Sequence, residues 1–436
     1  MTSDLRPPTS LPCYIGIDLG TSGVRACAID NNESIIHTCT TPLPSPQKHG
    51  KSITQDALLW WQATRDVLSE LFPHIDAAQV LAISVNGTSG TVLACDNEGT
   101  PLAPARMYND SYCARQSALI KTIAPDTSAA HGNSAGLAKW LYLQQQFPQA
   151  NHLLHQADWI AGKLCGRFDI SDENNALKSG YDPVQGQWPD WLAQTGLNIE
   201  RLPEVLPPGS PIAPIQNKAF GKFNLNPDCQ MISGTTDSIA AFIATGANKP
   251  GDAVSSLGST LVLKVIAEKP VFAPEYGIYS HKLGNFWLAG GASNSGGAVL
   301  RHYFTSQQIE AFSLLVNPDK PTGLDYYPLI QPGERFPFNN PALEPHLSPR
   351  PEKPLDFFQA ILEGISQIEQ QGYNKLQLLG APYPSQVLSA GGGSKNAAWN
   401  QMRQLTLGIP VKQAIFSEAC YGSALLAKRG YITSTL

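Results

Sequence analysis

The sequence predicts an α/β protein of two related lobes, each opening on a hairpin suited to hold phosphate. Three observations predict it. Tyr14 to Asp30 reads YIGIDLGTSGVRACAID, an apolar strand, a Gly/Ser/Thr turn and a second strand of small and apolar residues. Asp252 to Ala267 reads DAVSSLGSTLVLKVIA and repeats that shape. Between and after them, strand-like and helix-like patterns alternate, the mark of an α/β chain.

Taken in order, the first twelve residues, MTSDLRPPTSLP, hold an acid and three prolines but no apolar core, so they read as a flexible leader rather than a signal peptide. The first hairpin follows. Asp56 to Leu71 has apolar residues at helical spacing, with Thr54 as the expected N-cap. Val80 to Val85 is a short apolar strand, and Asn86-Gly87-Thr88-Ser89-Gly90 is a turn into a further strand ending at Cys95. Leu137–Phe147 and His155–Leu164 read as helices. The Pro-rich stretches 203–214 and 332–354 read as surface connections. Gly234-Thr235-Thr236-Asp237-Ser238 precedes the apolar run Ile239–Ala244, which places Asp237 at a helix start. Gly246, Pro250 and Gly251 mark a lobe boundary near 245–252. The strand Gln386–Ala390 runs through Gly391-Gly392-Gly393 into the helix Ala397–Leu407, and a last helix spans about Ala419 to Arg429.

Composition removes several function classes. Forty-two per cent apolar and fifteen per cent charged residues suit a packed enzyme. A net charge of −5 gives no electrostatic reason to bind nucleic acid or an anionic membrane. No apolar run reaches the length of a membrane span, roughly 18 residues. The eight cysteines show no CxxC pair, and several lie in apolar strands, so a reduced, cytoplasmic setting is expected.

Four segments offer what a phosphate needs, backbone N–H groups with no bulky side chain in the way. They are Asp18–Gly23, Gly258-Ser259-Thr260, Gly234–Ser238 and Gly391–Asn396. Any one glycine turn is more often only a turn, and Asp237 alone is as good a helix cap as a base. The ordered set of four points to nucleotide chemistry. Gly50-Lys51-Ser52 imitates the end of a P-loop but lacks the leading glycine and the preceding strand. His152, His155 and Asp158 share a helix face without a further ligand. No dinucleotide-type glycine loop follows the first strand, which disfavours a dehydrogenase.

From Tyr14 to Ile432 the sequence resembles the FGGY carbohydrate kinases. IGIDLGTSGVRACAID is similar to the family's first phosphate motif, VSSLGST to its second, ISGTTDSIAAFIATGA to the segment of the catalytic aspartate, and LSAGGGSKNAAWNQMRQLTLGIPV to the adenosine motif. MYNDSYCAR, ADWIAGKLCG, SDENNALKSGYDP, ILEGIS and EACYGSALLAKRGYI are further landmarks. The resemblance implies a two-lobed actin-like ATPase (ribonuclease H-like) fold with a duplicated core and a central interlobe cleft. It implies a leader at 1–13, a sugar-binding lobe at 14–248, a nucleotide-binding lobe at 249–417, and a helix at 418–436 returning to the first lobe.

The same resemblance implies roles. Asp237 is the general base, and Asp18 holds Mg²⁺ through water. Gly20, Thr21, Ser22, Gly258, Ser259 and Thr260 hold the ATP phosphates. Gly392, Gly393, Asn396 and Trp399 form the nucleotide platform, Trp399 as cover for adenine or ribose. Ser89 and Ser238 bind sugar hydroxyls with Asp18 and Asp237 beside them, and Asn109 and Asp110 lie in the substrate loop. Where xylulose kinases carry a Gln-Met-His-Gly loop, this chain has Val85-Asn86-Gly87-Thr88-Ser89-Gly90-Thr91. That departure and the short chain resemble small D-ribulose kinases. The expected activity is ATP-dependent phosphorylation of a pentulose in a monomer or homodimer. Xylulose or another ketose or polyol is the alternative substrate, and an inactive sugar or nucleotide sensor the alternative function.

Overall fold

The computed structural model describes residues 11–216 and 223–435. They form two compact units. One runs up to Ala244 and resumes at Glu418; the other is Thr245–Ser417. The glycine–proline cluster suggests a boundary near 245–252 and the resemblance one at 248–249; the contacts divide the chain between Ala244 and Thr245. Of the leader at 1–13, residues 1–10 lie outside the described residues, and Cys13 already begins a strand.

The first unit is built on a six-stranded sheet: β1 (Cys13–Leu19), β2 (Gly23–Asp30), β3 (Ile35–Pro42), β4 (Val80–Gly87), β5 (Pro211–Pro214) and β6 (Gln230–Thr236), in the order β5-β6-β4-β1-β2-β3. All seven residues of β1 are buried, which explains its nearly unbroken apolar sequence: both faces are covered. β1–β2 and β2–β3 pair antiparallel, while β1–β4 and β4–β6 pair parallel. β5 corrects the reading of 203–214 as a connection. It pairs antiparallel with β6 at the sheet edge, where prolines cost no ladder bond.

Helix α1 (Ala57–Leu71) buries Trp60, Val67, Leu68 and Leu71 on one face. Its N-cap is Asp56, whose Oδ1 accepts from Leu58 N at 2.9 Å. The expected cap, Thr54, is instead paired with Arg106 in a small second sheet. That sheet joins Gln47–His49, Ser52–Gln55, Ala105–Arg106, Val92–Cys95 and His152–His155, and Gly50-Lys51 is merely its first hairpin turn. The part of this unit before residue 245 also contains the helices Ala114–Ile123 and Gly136–Gln146, α2 (Gln156–Cys165) and α3 (Asp237–Ala244).

The second unit repeats the plan. Strands β7 (Asp252–Leu257), β8 (Leu261–Ala267), β9 (His281–Leu283), β10 (Phe286–Ser293), β11 (Gln386–Ala390) and β12 (Val411–Gln413) are ordered β9-β10-β8-β7-β11-β12. β7–β8 and β8–β10 are antiparallel; β7–β11 and β11–β12 are parallel. Strand for strand, this matches β1, β2, β3, β4 and β6, so the duplicated core of the actin-like ATPase fold is present. Helix α4 (Pro354–Leu378) starts with proline at its first turn and buries Phe357, Phe358, Ile361, Leu362, Ile365 and Ile368. Helix α5 (Ala397–Leu407) packs beside it.

Helix α6 (Ala419–Thr435) belongs to the first unit. It lies backbone to backbone on β1 and α3. A Cβ on Gly16 would run into the carbonyl of Cys420, and one on Gly422 into that of Ala240.

Candidate active site

Asp18 sits near the end of β1, opposite Arg25 of β2 and beside Asn86 of β4. Its carboxylate is buried and lies 3.2 Å from Arg25 Nη1. Burial first, then the negative charge of Asp237, push the carboxyl up to about 6; Arg25 opposes the rise and Glu418 adds to it. The turn beyond is closed by Gly20 N donating to Gly23 O at 3.0 Å, and Leu43 N clamps it by donating to Ser22 O at 2.9 Å. Thr21 is half-buried and Ser22 exposed, so their hydroxyls stand at the tip.

Asp237 is the first residue of α3, directly after β6. The strand reaches this point only because residue 234 is glycine: a Cβ there would strike the carbonyl of Val85. Ser238 is exposed, and its N–H donates to Asp237 Oδ1 at 2.6 Å. Asn86 ties the neighbouring strand end down, donating from Nδ2 to Ser423 Oγ at 2.7 Å and to Ala419 O at 3.2 Å.

The turn after β4 is built from short polar groups. Gln156 Oε1 accepts from Thr88 N at 3.0 Å and from Thr88 Oγ1 at 2.9 Å, and Thr88 Oγ1 pairs with Thr91 Oγ1 at 2.6 Å. Ser89 Oγ is buried and has no hydrogen-bond partner among the described residues, as has Thr236 Oγ1. An orphaned hydroxyl is costly in a folded interior, so an ordered water or a polar ligand is its natural partner. Asn109 is exposed. Asp110 differs from its expected part. Its carboxylate is fully buried and accepts from Ile53 N at 2.8 Å, Arg106 Nη1 at 3.0 Å and Tyr112 N at 3.2 Å, so it braces the loop rather than offering itself to a sugar.

In the second unit the turn Gly258-Ser259-Thr260 is clamped like its counterpart. Leu261 N donates to Ser295 O at 2.7 Å, Gly297 N to Gly258 O at 2.9 Å, and Ala298 N to Ser259 O at 3.0 Å. Arg301 Nη2 donates to Ser259 Oγ at 2.8 Å. Gly391 has φ +80°, a conformation that glycine accepts, and it turns β11 over Leu257. Gly392 is exposed with open space around it, room for a ligand to meet the backbone. Asn396 caps α5, accepting from Trp399 N at 3.0 Å and donating to Ser313 Oγ at 2.9 Å.

Trp399 corrects the expected platform. Its ring is 1% exposed, and its indole N–H donates to Leu362 O at 3.2 Å and Ser366 Oγ at 3.1 Å on α4. It supports the Gly393 turn from inside and cannot stack on a nucleotide. Two groups escaped the sequence reading. Lys139 is fully buried beside the Ser89 turn. A buried pair, Glu369 of α4 and Arg403 of α5, joins at 2.5 and 2.7 Å, and Glu369 also accepts from Ser255 Oγ of β7. His155 is fully buried and Asp158 accepts its N–H at 3.3 Å, a helix-start arrangement.

The donor set suits Mg²⁺. Asp18 and Asp237 repel one another with Arg25 as counter-charge, and a divalent cation relieves that excess. Among the described residues no cluster of three or more His, Cys, Asp or Glu side chains forms a cage. Mg²⁺ needs none, because it keeps water and takes phosphate oxygens.

Family models for the N-terminal and C-terminal domains of the FGGY carbohydrate kinases match residues 13–244 and 253–431. The xylulose kinase of Escherichia coli K12 is 26% identical over 89% of this chain and 84% of its own length. The L-fuculokinase of Salmonella typhi is 24% identical over 91% of this chain and 87% of its own. The solved xyloylose kinase of Brucella ovis shares the fold, with a TM-score of 0.87 at 23% identity, covering 97% of this chain and 91% of that one. With both family domains matched across nearly the whole chain, and the duplicated sheets in place, the protein belongs to the FGGY family of carbohydrate kinases, phosphotransferases that use ATP with Mg²⁺.

Proposed function

We propose that this carbohydrate kinase phosphorylates a pentulose, D-ribulose, by in-line transfer from ATP, with Asp237 as general base. The observation that carries the reading is the placement of Asp237 at the first turn of α3, within electrostatic reach of Asp18 and directly after β6, whose neighbour β4 leads into the Ser89 turn. Asp237 accepts the proton of the attacking hydroxyl as its oxygen bonds to phosphorus. Asp18 holds the metal. Mg²⁺ supplies charge neutralisation to the phosphoryl oxygens when bound. Thr21 and Ser22 in the first unit, and Gly258–Thr260 in the second, bind phosphate through N–H and hydroxyl groups.

The exposed Gly392 and the half-buried Gly393, with the capped start of α5, take the nucleotide. Ser89, whose hydroxyl lacks a partner, together with Ser238 and Asn109, binds the sugar. The eight cysteines are all unpaired and buried, which supports a reducing, cytoplasmic setting. Among the described residues no helix is long and apolar enough to cross a membrane.

The substrate rests on the loop Val85–Thr91, which offers short hydroxyl and amide groups in place of the Met-His pair of xylulose kinases. Xylulose is the second reading, favoured by the relatives that carry that name. The deciding experiment measures ATP consumption with D-ribulose, D-xylulose, L-fuculose and glycerol. The highest kcat/KM is expected with D-ribulose. A tenfold preference for D-xylulose replaces the pentulose assigned here. ATP hydrolysis without sugar should be slow but measurable.

A further inference from the structure

Lys139 lies in the helix Gly136–Gln146, in the apolar run GLAKWLYL, and none of its surface is exposed. A buried ammonium carries three donors and loses its hydration, so each donor needs an acceptor. Its three acceptors are all main-chain carbonyls, and they come from two separate turns. Gly90 O, at 2.8 Å, belongs to the turn carrying Ser89. Met107 O at 2.7 Å and Tyr108 O at 3.3 Å belong to the turn carrying Asn109. The strand that leaves the Ser89 turn and the strand that enters the Asn109 turn share the backbone pair Val92–Arg106. Beyond it, among the described residues, no backbone hydrogen bond joins one turn to the other. The ammonium occupies that gap.

We propose that Lys139 is a positioning residue of the acceptor-sugar subsite: its ammonium sets the spacing between the Ser89 turn and the Asn109 turn, and with it the size of polyhydroxy substrate that fits. This rests on the reading of those two turns as sugar-binding. The charged neighbours act in both directions. Asp110 favours the ammonium, Lys178 and Arg106 oppose it, and the Cys113 thiol, itself pushed up to about 11 by burial, and His155 at the start of α2 face it. Asp110 is itself held by Arg106, which leaves the carbonyls as the direct partners of Lys139.

Protonation matters to the spacing. Burial, ahead of the neighbouring charges, brings the Lys139 amine down to about 7. On deprotonation one N–H donor becomes a lone pair directed at a carbonyl oxygen, and one of the three ties turns repulsive.

The test compares wild type with Lys139→Gln, which keeps two donors without a charge, and Lys139→Met, which keeps only the stem. Sugar KM and ATP KM are measured from pH 6 to 9, with thermal unfolding of each protein as a control. In wild type the sugar KM should rise several-fold above pH 7 while the ATP KM stays level. In Lys139→Gln the sugar KM should be about tenfold higher at pH 6.5, with the ATP KM within twofold and the pH dependence gone. A folded Lys139→Gln protein with wild-type sugar KM and pH profile overturns the proposal, as does a parallel rise in both KM values. If neither variant folds, Lys139 serves folding alone and the proposal fails. Wild-type enzyme that phosphorylates none of the sugars tested defeats the sugar-site reading itself, a result distinct from all of these.

Discussion

Gly393 rests on Trp399 so closely that a Cβ on the glycine would stand 2.7 Å from Cζ3 of the indole. The side of the same turn that faces the core is thus filled by the ring, and Leu257 Cβ would lie at 2.8 Å. Gly393→Ala should lift the turn off its support and raise the ATP KM about tenfold with little change in sugar KM. Trp399→Ala should remove the support and cost about 3–5 kcal/mol of stability by denaturant unfolding. An unchanged ATP KM in Gly393→Ala would show that this turn does not meet the nucleotide.

Asp237→Ala should reduce phosphoryl transfer by about 10²–10⁴-fold, the usual contribution of a positioned base. ATP binding, measured by calorimetry, should stay near wild type. Turnover close to wild type would remove Asp237 from the role of base.

The carboxylate of Asp18 is proposed to face the metal. Asp18→Ala should therefore raise the Mg²⁺ concentration for half-maximal activity by about tenfold, since one ligand shell contact is lost. Superimposable Mg²⁺ titrations of the two proteins would assign Asp18 to bracing its hairpin.

Asp158 and Asp172 are buried carboxyls near one another in the first unit. Burial, then Asp172, holds Asp158 well above the usual carboxylate range; burial pushes Asp172 up to about 6 against hydrogen bonds from Asn175 and Asn174. Both folded values exceed the unfolded one, so their stabilising share is full below about pH 4; that of Asp172 is lost as pH rises through about 6, and that of Asp158 as pH rises through its own raised value. Asp158→Asn keeps an oxygen for the N–H of His155 and cannot ionise. Its Tm should therefore fall less than that of wild type between pH 5 and 8. Parallel Tm curves would contradict this account.

Glu369 and Arg403 are both wholly buried, and Arg403 also donates to Asn400 Oδ1 at 3.0 Å and to Ser389 Oγ. Removing one partner, as in Arg403→Met, should cost about 3–5 kcal/mol by leaving a buried charge. The double change Glu369→Leu with Arg403→Met should recover much of that loss in urea unfolding. If the double variant is no more stable than the single one, the stranded charge is not the cause.

Much of this was readable in the residues. β1, β2, β7 and β8 announce themselves because strands covered on both faces need apolar runs, and in the first turn a Cβ on Gly23 would press on the carbonyl of Thr41. Asp237 was placed at a helix start by the apolar run behind it, and α3 begins there. The misreadings share one cause: residue type does not state direction. Trp399 belongs to a nucleotide-like motif, yet its indole points into the core. Lys139 in an apolar helix carries no sign that carbonyls from two distant turns await it. Thr54 and Asp56 are both good caps, and only strand pairing with Arg106 decides between them. Asp110 has the right chemistry for a sugar, but its acceptors are filled by Ile53, Arg106 and Tyr112.

Helix α6 carries a consequence for the order in which the molecule is made. Its contacts with Gly16, Asn86 and Ala240 join residues 419–435 to strands and a helix translated long before them. The second unit is contiguous in the chain and can finish as soon as it leaves the ribosome. The first unit must wait, with one face of β1 uncovered, until the intervening 173 residues of Thr245–Ser417 have been synthesised. Vectorial synthesis thus makes the earliest strands of the protein the last to be sealed, and a chaperone would find its target there.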